Sequence, residues 1–175
     1  MNPLEIIEQY YDKQSSLYHC LVSHGEQVAK KALSCAKKFE VDLKFIQEAA
    51  MLHDIGIFYT YAPKIGCYGN LPYIYHGYMG MVLLDKLGWH RHAQVCLRHV
   101  GVGFSIEDIQ QHHLKLPQID MQPQTLEEQL ICYADKFFSK TSGTEEKSID
   151  DIQLKLSQYN HKALEKFMKW HACFR

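Results

Sequence analysis

Apolar side chains recur every three or four positions along most of the chain, which is the period of an amphipathic helix. A long helix is predicted from a cap at Ser16, with Val22, Ala29 and Leu33 on its apolar side. The next helix is expected to end at Gly56, since glycine commonly follows a last helical turn. The same period predicts further helices at about residues 76–87, 90–99, 126–138 and 149–170.

One stretch interrupts this helical pattern. Residues 57–75 contain several prolines and glycines, which break regular elements and predict a loop. The sequence shows no convincing strand. We therefore predict an all-α fold of about seven helices in a single domain over residues 1–175. Its core should occupy about residues 16–140, with the helix at 149–170 closing it.

The charge balance limits the classes of partner. The 175 residues include 19 Lys and Arg against 20 Asp and Glu, a net charge of -1. No strong positive field is present to release counterions from a nucleic acid, so we do not expect a nucleic-acid polymer as partner. The hydrophobic fraction of 46% is that of a globular domain and excludes a disordered chain.

The cysteines and the apolar stretches indicate in which cellular compartment the protein is expected. The six cysteines form no C-x-x-C pair, and we expect reduced thiols in a cytoplasmic protein. The N-terminus lacks a basic region followed by an apolar run, so we expect no signal peptide. Residues 65–84 carry no Asp, Glu, Lys or Arg, but with their glycines and tyrosines they are too polar and too often broken for a membrane helix.

Histidine is the residue type that points to chemistry. The chain has 11 histidines, a number that favours metal binding. Imidazole nitrogens and carboxylate oxygens together suit Fe, Mn, Zn, Co or Ni. Asp54, beside His53, is the natural carboxylate to bridge two ions, because it has two oxygens. The candidate ligands are His24, His53, Asp54, His76, His99 and Asp135.

These residues resemble a known family. The run Ala50–Gly56, which reads A-M-L-H-D-I-G, and the run Ala134–Lys136 are similar to the HD-domain superfamily in its HDIG form. The likeness covers about residues 16–140. The additional His76 and His99 match the binuclear branch of that superfamily, which includes dinucleoside tetraphosphatases, cyclic-dinucleotide phosphodiesterases and mixed-valent di-iron oxygenases.

The resemblance implies roles for the matched positions. Asp54 would bind both metal ions, and Lys136 belongs to the matched motif. The other ligands divide into one set of His24, His53 and Asp135 and a second set of His76 and His99. Ile57 departs from the pattern, because many relatives have Lys directly after the HDIG glycine and the phosphonate-cleaving oxygenases have His there. The Gly-Tyr-Pro extension of the cyclic-dinucleotide enzymes is also missing.

Several residues near the ligands are candidates for contacting a substrate. We consider Asp54 and Lys136 as catalytic, and basic side chains as clamps for phosphate oxygens. The aromatic residues of the 57–75 loop could stack on a base while its glycines let the loop move as a lid, or they could simply pack against helices. The candidate substrate contacts are Lys64, Arg98, Lys136, Lys140, Tyr73 and Tyr75.

The first functional hypothesis is a metal-dependent phosphohydrolase that acts on a small phosphorylated substrate, with a nucleotide favoured. Two divalent ions, with Fe or Mn favoured and Zn, Co, Ni or Mg open, would activate water. The alternative is a mixed-valent di-iron oxygenase on the same ligands. A third hypothesis is a binding module that kept the fold, which the complete ligand set disfavours. A homodimer through the last helix is left open.

Overall fold

The computed structural model describes residues 2–141, 143 and 145–175 of the chain. Within these residues the fold is mainly helical, and no described helix has the length and apolar character needed to cross a membrane. The α-helices are α1 (Pro3–Ile7), α2 (Ser16–Ala36), α3 (Leu43–Leu52), α4 (His76–Lys86), α5 (His90–Arg98), α6 (Ile106–Gln111), α7 (Leu126–Asp135), α8 (Ile149–Tyr159) and α9 (His161–Phe174).

The all-α class is confirmed, although the described part of the chain has nine α-helices instead of about seven. The long helix α2 packs against α3 and α7, and α4 packs against α5. The cap of α2 is Ser15, not Ser16, because the Ser15 hydroxyl accepts a hydrogen bond from the backbone N–H of Tyr18 at 3.1 Å. Ser16 is therefore the first helical residue.

Two clusters of buried apolar residues build most of the interior. The first joins α2, α3 and α7 with the last two helices, and it includes Val28, Ile46 and Phe167. The second joins α1, the end of α3, α4 and α5, and it includes Ile7 and Leu84. Each cluster buries the apolar stripes that the helical period predicts.

The predicted helix over residues 149–170 is wrong as a single element. Asn160 has an extended backbone, with φ -162° and ψ 122°, and separates α8 from α9. Its side-chain oxygen accepts from the backbone N–H of Lys162 at 2.9 Å and so caps the new helix. The apolar stripe still faces the core, since Leu156, Phe167 and Trp170 belong to the first cluster.

The segment at 57–75 also differs from the predicted plain loop. It contains 3-10 helices at Ile55–Tyr59, Pro63–Ile65 and Tyr73–Tyr75 and a two-stranded antiparallel hairpin, β1 (Tyr61–Ala62) and β2 (Cys67–Tyr68). The prediction that no strand exists is thus wrong. Gly66 allows the turn, because its φ of 81° lies in the left-handed region that favours glycine.

Candidate metal centre

Helix ends bring most of the predicted ligands to one place. His53 directly follows α3 and precedes Asp54, while His99 directly follows α5. Histidine 76 is the first residue of α4, and aspartate 135 is the last residue of α7. His24 comes from the middle of α2, on the side that faces the core. All four histidines and Asp54 are buried.

Three of the histidines are oriented by their own backbone. The Nδ1 atoms of His53, His76 and His99 lie 2.6, 2.6 and 2.8 Å from the carbonyl oxygen three residues earlier in the chain. A carbonyl only accepts, so each Nδ1–H donates and Nε2 is the ring nitrogen left to bind a metal. Each Nε2 therefore faces the cluster, as metal-binding histidines require.

Asp54 is shared between two groups of donors. Its Oδ2 atom lies 3.3 Å from His24 Nε2 and 3.1 Å from His53 Nε2. The other oxygen, Oδ1, lies 3.3 Å from His76 Nε2 and 3.4 Å from His99 Nε2. One carboxylate thus presents one oxygen to each pair of histidines.

Asp135 completes the first group only. Its Oδ1 atom lies 2.9 Å from His24 Nε2 and 3.5 Å from His53 Nε2. Two sets of side chains could therefore hold an ion, and they meet at Asp54. The sets are His24, His53, Asp54 and Asp135, and Asp54, His76 and His99.

The polar atoms of this cluster fit divalent metals. Among the described residues, neither oxygen of Asp54 nor Nε2 of His53 has a well-aligned hydrogen bond, although both side chains are fully buried. Burying such atoms without well-aligned hydrogen bonds is costly, and a bound cation would satisfy them. The facing donor atoms are 2.9–3.5 Å apart, as expected for atoms that share an ion at bonds of about 2.1 Å.

The electrostatics differ between the two groups. Burial lowers the pKa of His53, but the charges of Asp54 and Asp135 outweigh burial and raise this pKa to about 9. Burial lowers the pKa of His76 to about 3 and also lowers that of His99. The second group thus offers neutral imidazoles, whereas a metal at the first group must displace a proton from His53.

Two lysines lie at the centre. Lys136 places its ammonium 2.8 Å from Asp135 Oδ2 and 3.2 Å from the His99 carbonyl oxygen, so it ties α7 to the end of α5. The ammonium of Lys140 lies 2.5 Å from Asp54 Oδ2. Although burial raises the pKa of Asp54, His53 and Lys140 hold it well below its ordinary value.

The other candidate substrate contacts lie in different places. The ring of Tyr73 stacks on His76 at 4.5 Å between centroids and lies 5.9 Å from the Lys140 ammonium. Tyr75 meets Tyr78 edge to face at 6.4 Å, and both rings pack against a small third cluster of buried apolar residues that includes Leu97 and Phe104. This contact favours a packing role for Tyr75 over stacking on a substrate base.

The two remaining basic candidates do not reach the centre. Arg98 is 14% exposed and binds both carboxylate oxygens of Glu128, at 2.9 and 3.1 Å. Lys64 is exposed in the 3-10 turn of the hairpin. The structure therefore places Arg98 in a buried ion pair between α5 and α7 and Lys64 at the surface.

Sequence reasoning missed the residues that support this centre. The Cys20 thiol lies 3.5 Å from the Lys140 carbonyl oxygen, and the Lys147 ammonium donates to the Phe138 carbonyl at 2.7 Å. Both contacts fix the chain that follows α7. Only the spacing of Cys20, one helical turn before His24, is a signal that the sequence offers.

Comparison with known proteins identifies the class. A family model described as the HD domain matches residues 21–139, which is more than half of the chain. The chain therefore belongs to the HD domain family. It is also similar to an uncharacterized protein of Methanocaldococcus jannaschii, with 31% identity over 86% of this chain and 82% of that protein.

Two further relatives are longer proteins that are named for an enzymatic activity. The chain is 29% identical to a tRNA (cytidine(56)-2'-O)-methyltransferase of Thermoplasma volcanium over 83% of its own length. It is 31% identical over 68% of its length to the protein of the same name from Picrophilus torridus. The matches span 38% and 31% of those two methyltransferases, so they concern only part of each.

A solved structure shows the same fold. The HD domain of the phosphodiesterase PgpH from L. monocytogenes superposes with a TM-score of 0.55. The match covers 85% of this chain and 88% of that one at 15% sequence identity. The recognition of the HD domain from its motif residues is thereby confirmed.

Proposed function

We propose that this protein is a metal-dependent phosphohydrolase with a binuclear centre that acts on a small phosphorylated molecule. The observation that carries the proposal is the geometry of Asp54, which presents one oxygen to each of two histidine pairs. Membership of the HD domain family and the fold shared with a phosphodiesterase support a hydrolase. The role of each ligand stays a prediction.

The protein's own residues would act by holding and orienting. When bound, two divalent ions would lower the pKa of a water molecule and neutralise phosphate oxygens. His53, His76 and His99 keep their Nε2 atoms aimed inward because their Nδ1–H groups are already used. Lys136 holds Asp135 and the end of α5 together, which fixes the distance between the two groups.

The donor set favours particular ions and substrates. Imidazoles and carboxylates, without a thiolate, suit Fe or Mn, and we propose these as the native metals. Tyr73 lies beside His76 and Lys140, where its ring could stack on a base, and this supports a nucleotide.

The depth of the centre supports a small substrate instead of a nucleic-acid polymer. Asp54 is fully buried, and the side chains of Asp135, Lys136 and Lys140 are each 13% exposed. A polymer backbone could not reach the shared carboxylate without opening the fold. We therefore do not propose for this chain the methyl transfer for which the relatives from Thermoplasma volcanium and Picrophilus torridus are named.

The direct test is metal content followed by turnover. We expect two ions per chain after anaerobic purification, and hydrolysis of nucleotides or simple phosphomonoesters with Mn, Fe, Co or Ni. Asp54→Ala serves as the inactive control, and Asp85→Asn as the matched control at an exposed carboxylate that pairs with His90. No turnover above the Asp54→Ala background with any metal would contradict the proposal.

The same preparation separates hydrolysis from oxygenation. A mixed-valent electron paramagnetic resonance signal that changes on adding substrate would show the di-iron oxygenase. Turnover without oxygen, in protein that gives no such signal, would show the phosphohydrolase.

A further inference from the structure

The charges of the aspartate and lysine side chains at the centre sum to zero. Two aspartates, Asp54 and Asp135, face two lysines, Lys136 and Lys140, at 2.5–2.8 Å. Histidines that bind metals are neutral, so they add no charge. Residue 57, directly after the glycine of the motif, is a fully buried isoleucine and adds none either. The protein therefore leaves the charge of bound dications for a substrate anion to neutralise.

The two lysines are held differently. The ammonium of Lys136 is shared between Asp135 and the His99 carbonyl, two partners on different helices, which makes it part of the scaffold. The ammonium of Lys140 is in contact with the shared carboxylate of Asp54 and lies over the ring of Tyr73. Lys140 is therefore the cation beside the position where both ions and a substrate phosphate would meet.

Two contacts hold the main chain around Lys140, whereas a lysine side chain can change direction. The Cys20 thiol contacts the Lys140 carbonyl, and Lys147 binds the Phe138 carbonyl two residues earlier. A lysine ammonium sits on a flexible four-carbon stem and has three donors. From this anchored position it can turn from Asp54 to an oxygen atom of an incoming anion.

We propose that Lys140 makes this centre selective for a terminal, dianionic phosphate, so that the substrate is a phosphomonoester and not a phosphodiester. The proposal rests on the phosphohydrolase function proposed above. A monoester dianion brings twice the charge of a diester to a site whose protein charges cancel. It also has three free oxygen atoms where a diester has two, so that one more would be available to Lys140 beside the ions.

The burial of the ligands favours a monoester over a diester, as the charge balance does. His53 and Asp54 are 0% exposed, so phosphorus can approach them only with its single substituent pointing outward. A diester carries a second substituent, which would have to enter among the buried ligands. The outward substituent of a monoester would pass Tyr73, whose ring lies 5.9 Å from the Lys140 ammonium.

The test compares matched substrates and matched lysines. Metal-loaded wild type, Lys140→Met, Lys140→Arg and the surface control Lys169→Met are assayed with p-nitrophenyl phosphate and bis-p-nitrophenyl phosphate. Inorganic phosphate binding is measured separately by calorimetry, and metal content by elemental analysis. Lys169 is exposed on α9, away from the ligands.

We expect wild type to prefer the monoester in kcat/KM by at least about 100-fold. Loss of one charge-assisted hydrogen bond in Lys140→Met should raise the monoester KM and the phosphate Kd by about 10–100-fold. Diester turnover should change little and both ions should remain. Lys140→Arg should recover most of the phosphate binding, and Lys169→Met should match wild type.

Each other result has a definite meaning. Equal or faster diester turnover, unchanged phosphate binding in Lys140→Met, or loss of metal from that variant would overturn the role of Lys140. If neither ester is hydrolysed by wild type but phosphate binding still depends on Lys140, the anion site stands and the phosphohydrolase function fails. The two proposals are therefore separable.

Discussion

At the scale of single residues, Asp54 carries the candidate centre. Asp54→Asn removes one negative charge and one anionic donor from both groups at once, so we expect the variant to lose both ions. Asp85→Asn should keep both ions, because Asp85 is exposed and pairs with His90 at the surface. Elemental analysis of the two variants checks this. A variant at position 54 that retains one full ion would show that the carboxylate does not bridge.

The thiols give a second residue-scale prediction. Burial raises the pKa of Cys132 to about 12 and that of Cys67 to about 11, so almost no thiolate forms near pH 8. Cys173 is exposed, and we expect iodoacetamide to modify it first in the native protein. Mass spectrometry of the digested protein determines the order in which the cysteines are modified. Early modification of Cys132 would contradict the buried placement of α7.

The sequence was sufficient to identify the six residues that meet at the centre, because a histidine or aspartate at a motif position can be recognised without knowledge of the fold. It was not sufficient to assign the basic residues. Arg98 and Lys140 both stand near ligands in the sequence, yet Arg98 binds Glu128 and Lys140 reaches Asp54. Side-chain direction at a helix end depends on the partner helix, and a single sequence does not contain that information.

At the scale of elements, Gly56 sets how closely the histidine-bearing helix α4 can approach. A Cβ atom at this position would overlap with the backbone of Gly80 and with the His76 carbonyl oxygen. We expect Gly56→Ala to destabilise the protein by about 1–3 kcal/mol through overpacking and to weaken metal binding by displacing His76. Urea denaturation and metal titration measure the two effects.

Gly88→Ala is the control for that substitution. Position 88 has a positive φ of 80°, but a Cβ atom there would meet nothing within 4 Å. We expect a cost of about 1 kcal/mol from the backbone conformation alone, with metal binding unchanged. An equal loss of metal in the Gly88 variant would mean that the effect at Gly56 is general destabilisation.

A buried ion pair joins α5 to α7, the helices that lead to His99 and Asp135. Arg98→Met leaves the carboxylate of Glu128, which is 6% exposed, without its cation, and we expect a loss of about 3–5 kcal/mol in the free energy of unfolding. Arg91→Met removes a cation that is 53% exposed and pairs with Asp42 and Glu127, and it should cost at most about 1 kcal/mol. Chemical denaturation of both variants decides whether burial makes this difference.

The helical elements were predictable to the extent that their period was uninterrupted. The break at Asn160 was missed because the apolar positions keep nearly the same phase across it, so α8 and α9 bury one continuous stripe. The hairpin was missed because its strands have two residues each, too few for a period of two to show. Both features depend on local hydrogen bonds, which hydrophobic pattern does not report.

At the scale of the molecule, the candidate centre lies where the two apolar clusters meet along the chain. His24 follows Leu21 of the second cluster and precedes Val28 of the first. The pair His53–Asp54 directly follows Leu52 of the second cluster, a few residues after Ala50 of the first. Polar side chains at such a boundary hold the two halves together only if their charges and lone pairs are satisfied.

Metal ions should therefore stabilise the whole fold. At a free concentration of about 100 times Kd, one bound ion adds about 2.7 kcal/mol, which for a chain of this size raises Tm by about 5–10 °C. Chelation should lower Tm by at least this amount in wild type, which is expected to hold two ions, and leave Asp54→Asn unchanged, as scanning calorimetry would record. An equal response to chelator in both proteins would place the stabilising ion outside this cluster, since the variant lacks the carboxylate that both groups share.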